Sequence, residues 1–212
     1  MKQKEILLFG ATGQIGRNLI RKLSKNNYKI TAVTRNIHKA GYILKTQANP
    51  GYLNLVELKT FNYVKINELM KNCNVCINLI GILYENRKNQ FKIIHSDLPN
   101  MLSKIAKQNN ISKFIHLSAL AIENAPDSEY AKSKLDGENK IKINFKNYLI
   151  LKPSIVYSVD DKFTTNFMSL LNKLPIMPLY YNGSTKFSPI HVNDLVNIIF
   201  ELIERKNDNL VL

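Results

Sequence analysis

The chain has 212 residues, 45% of them hydrophobic and 22% charged, with a formal net charge of +14. That length suits one domain, or one domain with a small appendage, and that apolar content excludes a disordered chain. No apolar run reaches the roughly 20 residues of a membrane span, and the charged start MKQKEILLFG leads straight into an apolar segment, unlike a signal peptide.

Taken in chain order, residues 5–9 read as a short buried strand, and Gly10-Ala-Thr-Gly13-Gln-Ile-Gly16 follows at once. Residues 17–24 then carry apolar side chains at helical spacing. A second strand spans 29–33, and 37–51 is irregular or briefly helical up to Asn49-Pro50-Gly51. A third strand over 53–58 precedes a helix around 66–71. Residues 74–80 form a fourth, almost wholly apolar strand, as a buried parallel sheet requires. A helix over 97–108 has Leu98, Met101, Leu102 and Ile105 on one face. A fifth strand over 113–118, a helix over 129–143 and a sixth strand over 148–152 complete the alternation, which Pro153 stops.

Beyond Pro153 the pattern loosens. Residues 163–174 read as helix, Pro175, Pro178, Gly183 and Pro189 mark loops, and a final helix over 194–205 has Asn193 or Asp194 placed to cap it. Alternating strands and helices predict an α/β fold of the Rossmann type, a doubly wound parallel sheet of order 3-2-1-4-5-6.

The first glycine turn carries chemistry. A strand, a glycine turn and a helix N-terminus together make a cradle for a dinucleotide pyrophosphate. Gly10 can turn sharply, Gly13 lets the backbone approach phosphate oxygens, and Gly16 lets the helix pack on the strand. The helix N-terminus offers free N–H groups and partial positive charge. An ordinary βα turn that happens to hold three glycines is the plainer alternative.

Tyr130-Ala-Lys-Ser-Lys134 is the second informative stretch. Residues four apart share a helix face. Placed so, the Lys134 ammonium can lower the Tyr130 phenol and hydrogen-bond a ribose, while the phenol exchanges a proton with a substrate oxygen. The plainer alternative is a surface pair.

At the end of the second strand, Thr31-Ala-Val-Thr-Arg35-Asn36 holds no acid that would bind a ribose 2′-hydroxyl, while Arg35 suits a 2′-phosphate. The expected cofactor is therefore NADPH, with NAD as the alternative. Cys73 and Cys76 form a lone C-x-x-C with no second pair for zinc, and they read as structural rather than redox residues. His38 in a loop, His95 before a helix, His116 in a strand and His191 near a cap lack ligand spacing, so no metal is expected. The lysines are spread without aromatic interleaving, which argues against nucleic acid. They fit a solvated surface, or attraction to acidic headgroups or an acidic protein.

These motifs resemble the short-chain dehydrogenase/reductase superfamily, extended or atypical type, over nearly the whole chain. The likeness rests on the glycine turn, Tyr130 with Lys134, Lys152-Pro153-Ser154-Ile155-Val156-Tyr157 and Pro189-Ile-His191-Val-Asn-Asp194. Asn78-Leu-Ile-Gly-Ile-Leu83, His116-Leu-Ser-Ala-Leu120 and Tyr130-Ala-Lys-Ser-Lys-Leu-Asp-Gly-Glu138 bring it nearest to the dehydrogenase-like accessory subunit of respiratory complex I and its bacterial relatives.

The resemblance implies a dinucleotide-binding domain over 1–157 and a partial C-terminal substrate lobe over 158–212. Gly10, Thr12, Gly13, Gln14, Ile15 and Gly16 would line the pyrophosphate. Asn62 falls where relatives usually carry an Asp near the adenine. Leu79, Ile80 and Gly81 would pass under the adenine ribose, and Pro153, Ser154 and Ile155 would lie against the nicotinamide.

Active relatives also carry a Ser that orients a substrate carbonyl. Counting along His116-Leu-Ser118-Ala119-Leu120 puts it at Ala119, with Ser118 one position early and facing the other side of the strand. Ser118 is the alternative source of that hydroxyl, beside Tyr130 and Lys134. The expectation is a dinucleotide-binding protein of weak catalysis that serves the structure or assembly of a respiratory complex, in the cytoplasm or peripheral on the inner membrane. An active oxidoreductase or epimerase on a small hydroxyl or keto substrate is the alternative.

Overall fold

The computed structural model describes residues 4–87, 90–173, 184, 186–205 and 209–212. Seven strands form one sheet of order β3-β2-β1-β4-β5-β6-β9, and every pairing is parallel. They are β1 (Glu5–Phe9), β2 (Lys29–Thr34), β3 (Leu53–Glu57), β4 (Val75–Asn78), β5 (Lys113–Leu117), β6 (Tyr148–Leu151) and β9 (Leu210–Val211). The short β7 (Val156–Tyr157) and β8 (Ile190–His191) pair with each other. The expected order holds through its first six strands, and β9 extends it beyond β6.

The helices are α1 (Gln14–Lys25), α2 (Ile37–Leu44), α3 (Tyr63–Met70), α4 (Leu98–Gln108), α5 (Glu129–Asn144), α6 (Lys162–Lys173) and α7 (Val192–Glu204). One apolar cluster joins α1, α2 and α7 to one face of the sheet through Leu19, Leu23, Leu44, Val196 and Ile199. A second joins α3, α4 and α5 to the other through Met70, Leu102, Ile105 and Ile141. Strands covered on both faces are largely apolar, which is why residues 6–9 of β1 and 75–77 of β4 read as hydrophobic runs.

Several local expectations change. His38 lies inside α2 rather than in a loop. The N-cap of α7 is His191, whose Nδ1 accepts from the Asn193 N–H at 3.3 Å, so neither Asn193 nor Asp194 caps that helix. Before α4, Lys92–Asp97 forms a π-helical turn. Pro99 has no N–H to give the carbonyl of His95, four residues back, so a regular α-helical bond cannot form there. The loop marks at Pro175, Pro178 and Gly183 lie outside the described residues.

Burial raises both thiols. Cys73 is pushed up to about 12 by burial and by the nearby Glu5, and Cys76 is fully buried with its thiol raised as well. No helix among the described residues is long and apolar enough to cross a membrane.

Candidate functional site

The C-terminal ends of β1, β4, β5 and β6 converge where the sheet order reverses between β1 and β4, the position at which open α/β sheets bind ligands. Gly10 leaves β1 with φ +82°, in the region that favours glycine. A Cβ there would lie 2.8 Å from the Leu79 carbonyl carbon, so the glycine turn and the loop after β4 share one wall. Gly16 is equally constrained: its Cβ would lie 2.5 Å from the Gly10 carbonyl oxygen. Gly13 has an ordinary φ of −71° and only a 3.3 Å approach to that oxygen.

Gly13 is the N-cap of α1, and no side chain caps this helix. By contrast Asn36, Asn62 and Ser128 cap α2, α3 and α5 with their side chains. The first-turn amides of α1 thus have no side-chain cap, and Thr12 and Gly13 beside them are exposed. Gln14 donates to Ser158 Oγ at 2.8 Å, and Arg17 pairs with Asp160 at 2.6 Å. The Arg17 Nε is buried without a hydrogen-bond partner among the described residues. Ile15, in the same turn, packs against the core. These features fit a dinucleotide pyrophosphate.

Arg35 is exposed just past β2. Asn62 Oδ1 accepts from the Lys65 N–H at 3.1 Å, so its side chain is engaged as a helix cap. These two residues sit past β2 and β3, apart from the Tyr130 end of the site.

At that other end, α5 carries Tyr130 and Lys134. The Lys134 Nζ lies 5.6 Å from the Tyr130 ring centroid and donates to the Leu117 carbonyl at 3.3 Å. Burial lowers Lys134 to about 8, against an opposing pull from Glu138. Burial also raises the Tyr130 phenol above its ordinary range, because desolvation disfavours the phenolate. That direction is opposite to the lowering expected from the spacing of Tyr130 and Lys134. A Cβ on Gly81 would meet Lys134 Nζ at 3.8 Å and His95 Nε2 at 3.9 Å, which brings the loop after β4 to the same point.

Ser118 is buried and donates to Glu138 Oε1 at 2.5 Å, while Ala119 is partly exposed. Glu138 has no exposed surface and pairs with Lys152 at 3.0 Å, and Lys152 also pairs with Glu123. Past β6, the Pro153 carbonyl accepts from the Leu120 N–H at 3.1 Å, and the Ile155 carbonyl from the Ile190 N–H at 2.9 Å. This places Pro153 beside the loop after β5, and Ile155 beside β8.

Residues to which the sequence assigned no functional role also converge here. Asn78 Oδ1 accepts from the Ile80 N–H at 3.1 Å, and its Nδ2 lies 3.2 Å from His116 Nδ1. His95 packs edge-on to Tyr130 with centroids 5.2 Å apart. Pro99, four residues after His95, marks the break in regular helical bonding there and carries no signal for where the imidazole points. Among the described residues no group of acidic, His or Cys side chains could hold a metal.

The profile of the NAD dependent epimerase/dehydratase family matches residues 6–211. The chain is 27% identical over 197 residues to "NADH dehydrogenase [ubiquinone] 1 alpha subcomplex subunit 9, mitochondrial" of Dictyostelium discoideum, covering 93% of this chain and 54% of that protein. It is 25% identical over 191 residues to the ceramide reductase of Caulobacter vibrioides, covering 89% and 57%. The chain spans about half the length of the curated relatives it matches. In structure it is similar to the UDP-glucuronic acid 4-epimerase of Bacillus cereus, solved with UDP-glucuronic acid and NAD. That match has TM-score 0.78 and 20% identity, over 98% of this chain and 76% of that one.

Proposed function

The chain belongs to the NAD dependent epimerase/dehydratase family, and we propose that it holds a nicotinamide dinucleotide, NADPH in preference to NADH, with weak chemistry of its own. Its role in this reading is structural or in assembly, at the aqueous face of a respiratory NADH:quinone oxidoreductase. The observation that carries it is the Ser118 hydroxyl bound to buried Glu138, with Ala119 at the next position. No hydroxyl from this strand end is then offered to a substrate oxygen. The similarity to the Dictyostelium mitochondrial subunit supports the partner.

When bound, the nicotinamide supplies or accepts a hydride. The chain's own groups do the rest. The uncapped α1 terminus and the glycine turn hold the pyrophosphate. Arg35 is suited to a ribose 2′-phosphate, and Asn62 borders the adenine end. Leu79, Ile80 and Gly81 support the ribose, and Pro153, Ser154 and Ile155 border the nicotinamide. Lys134 keeps donors for ribose hydroxyls, and Tyr130 retains a proton to give.

A second reading, an oxidoreductase or epimerase acting on a small hydroxyl or keto substrate, draws on the closeness of Tyr130 and Lys134. The similarity to a ceramide reductase points the same way.

Native mass spectrometry of the purified protein tests the cofactor, with a copurifying NADPH expected; a protein that neither retains nor binds a dinucleotide overturns the reading. Affinity purification from solubilised native membranes tests the partner, with quinone-oxidoreductase subunits expected. Brisk turnover of keto or quinone substrates would favour the second reading.

A further inference from the structure

We propose that His95 is a positioning residue that ties the loop after β4 to the first turn of α5, so that the dinucleotide floor and Tyr130 move as one unit. The link to the dinucleotide rests on the function proposed above.

His95 is 1% exposed and sits in the π turn before α4. Its Nε2 accepts from the Ile82 N–H at 3.1 Å. An imidazole that accepts at Nε2 carries its proton on Nδ1. That Nδ1 lies 3.1 Å from Ser133 Oγ, and the Ser133 hydroxyl donates to the Tyr130 carbonyl at 2.7 Å. Donors and acceptors alternate without conflict from the Ile82 amide, through His95 and Ser133, to the backbone of Tyr130. Only the neutral Nδ1–H tautomer completes that path, and burial, with the Lys134 charge nearby, keeps His95 neutral down to about pH 4.

The ring is held as firmly as its nitrogens. Phe91 stacks on it with centroids 5.5 Å apart, and Tyr130 meets it edge-on at 87°. A Cβ on Gly137 would lie 1.9 Å from the His95 carbonyl oxygen, so α5 is pressed against the π turn at that residue. The loop is gripped twice: Asn78 binds the Ile80 amide and His95 the Ile82 amide, with Gly81 between them. Among the described residues Ser133 makes no hydrogen bond to this loop, and its hydrogen-bonded path to it runs through His95.

Hydrogen exchange of the protein without added ligand tests the coupling, read on peptides spanning 79–84 and 128–134. His95→Phe keeps the ring and removes both hydrogen bonds; His95→Gln keeps an acceptor and a donor. Exchange is expected to rise about tenfold in both peptides for His95→Phe, the worth of one lost hydrogen bond, and by less for His95→Gln. Ser133→Ala is expected to speed exchange at 79–84 as well, which a purely local role would not do. Unchanged exchange at 79–84 in Ser133→Ala, or a rise confined to one peptide in His95→Phe, overturns the proposal.

In parallel, NADPH titration is expected to show about tenfold weaker binding for His95→Phe than for wild type. Equal binding would sever the link to the dinucleotide. If wild type binds none, the functional reading fails, while the exchange arm still decides the coupling.

Discussion

The hydroxyl of Ser118 and the carboxylate of Glu138 form a buried 2.5 Å hydrogen bond between the end of β5 and the middle of α5. Glu138 is also paired with Lys152. A carboxylate with no exposed surface must be compensated by such partners. Ser118 is therefore part of the support beneath the site.

Replacing Ser118 with Ala should lower stability by about 1–3 kcal/mol, because a buried charged acceptor loses a donor. The loss reads directly in urea unfolding. Residual hydride transfer to keto substrates with NADPH should change little. Ala119→Ser should raise it, since one preorganised donor is typically worth about 10²–10³ in rate. A collapse of activity in Ser118→Ala with unchanged stability would reverse the two roles.

Gly13 and Gly16 should separate binding from folding. Gly13 has a φ any residue adopts and a tight but yielding 3.3 Å contact, so Gly13→Val should melt close to wild type and lose dinucleotide binding. Gly16→Ala forces a Cβ to 2.5 Å from a backbone oxygen and should cost about 1–3 kcal/mol of stability. Calorimetric titration and thermal melts of the pair check both expectations.

Arg35→Ala should weaken NADPH by roughly ten- to a hundredfold, the worth of a charge-assisted bond, and leave NADH nearly unchanged. Competitive titration of the two cofactors measures it. Equal losses for both would remove Arg35 from the 2′-phosphate.

Stability should rise with pH between about 8 and 10.5. Lys134 loses its proton near 8 when folded and near 10.5 when unfolded, so over that window the unfolded chain holds more protons. Lys134→Met should flatten this rise. On the acid side, burial holds His95 at about 4 and His116 at about 3, below their ordinary 6.5, so stability should fall as pH drops from 6.5. Urea midpoints across pH 4–10.5 report both limbs.

Much of the molecule is legible along the chain. The runs around Leu7, Ile77 and Ile115 read as buried strands because both sheet faces are covered, and burial on two faces leaves its mark in every residue. The three glycines read as a cradle because their demands are local: a positive φ at Gly10 and a close approach at Gly16. The four-residue spacing of Tyr130 and Lys134 follows from helix geometry alone.

Other features depend on partners far away in sequence. Ser118 turns to Glu138, 20 residues on, and His95 bridges Ile82 and Ser133, which are 51 residues apart. How deeply the Tyr130 phenol is buried, and how far from it the Lys134 ammonium comes to rest, are set by the packing around α5, which spacing does not specify. The strand β9 has two residues, too few for a periodic signal, and exists because β6 offers an open edge. The sequence by itself determined the sheet, its order through β6 and the glycine cradle, because local sterics and burial periodicity suffice for these. Only the tertiary structure decided which hydroxyls face the site and which hold it up, because that choice is made by three-dimensional contacts between β4, β5 and α5.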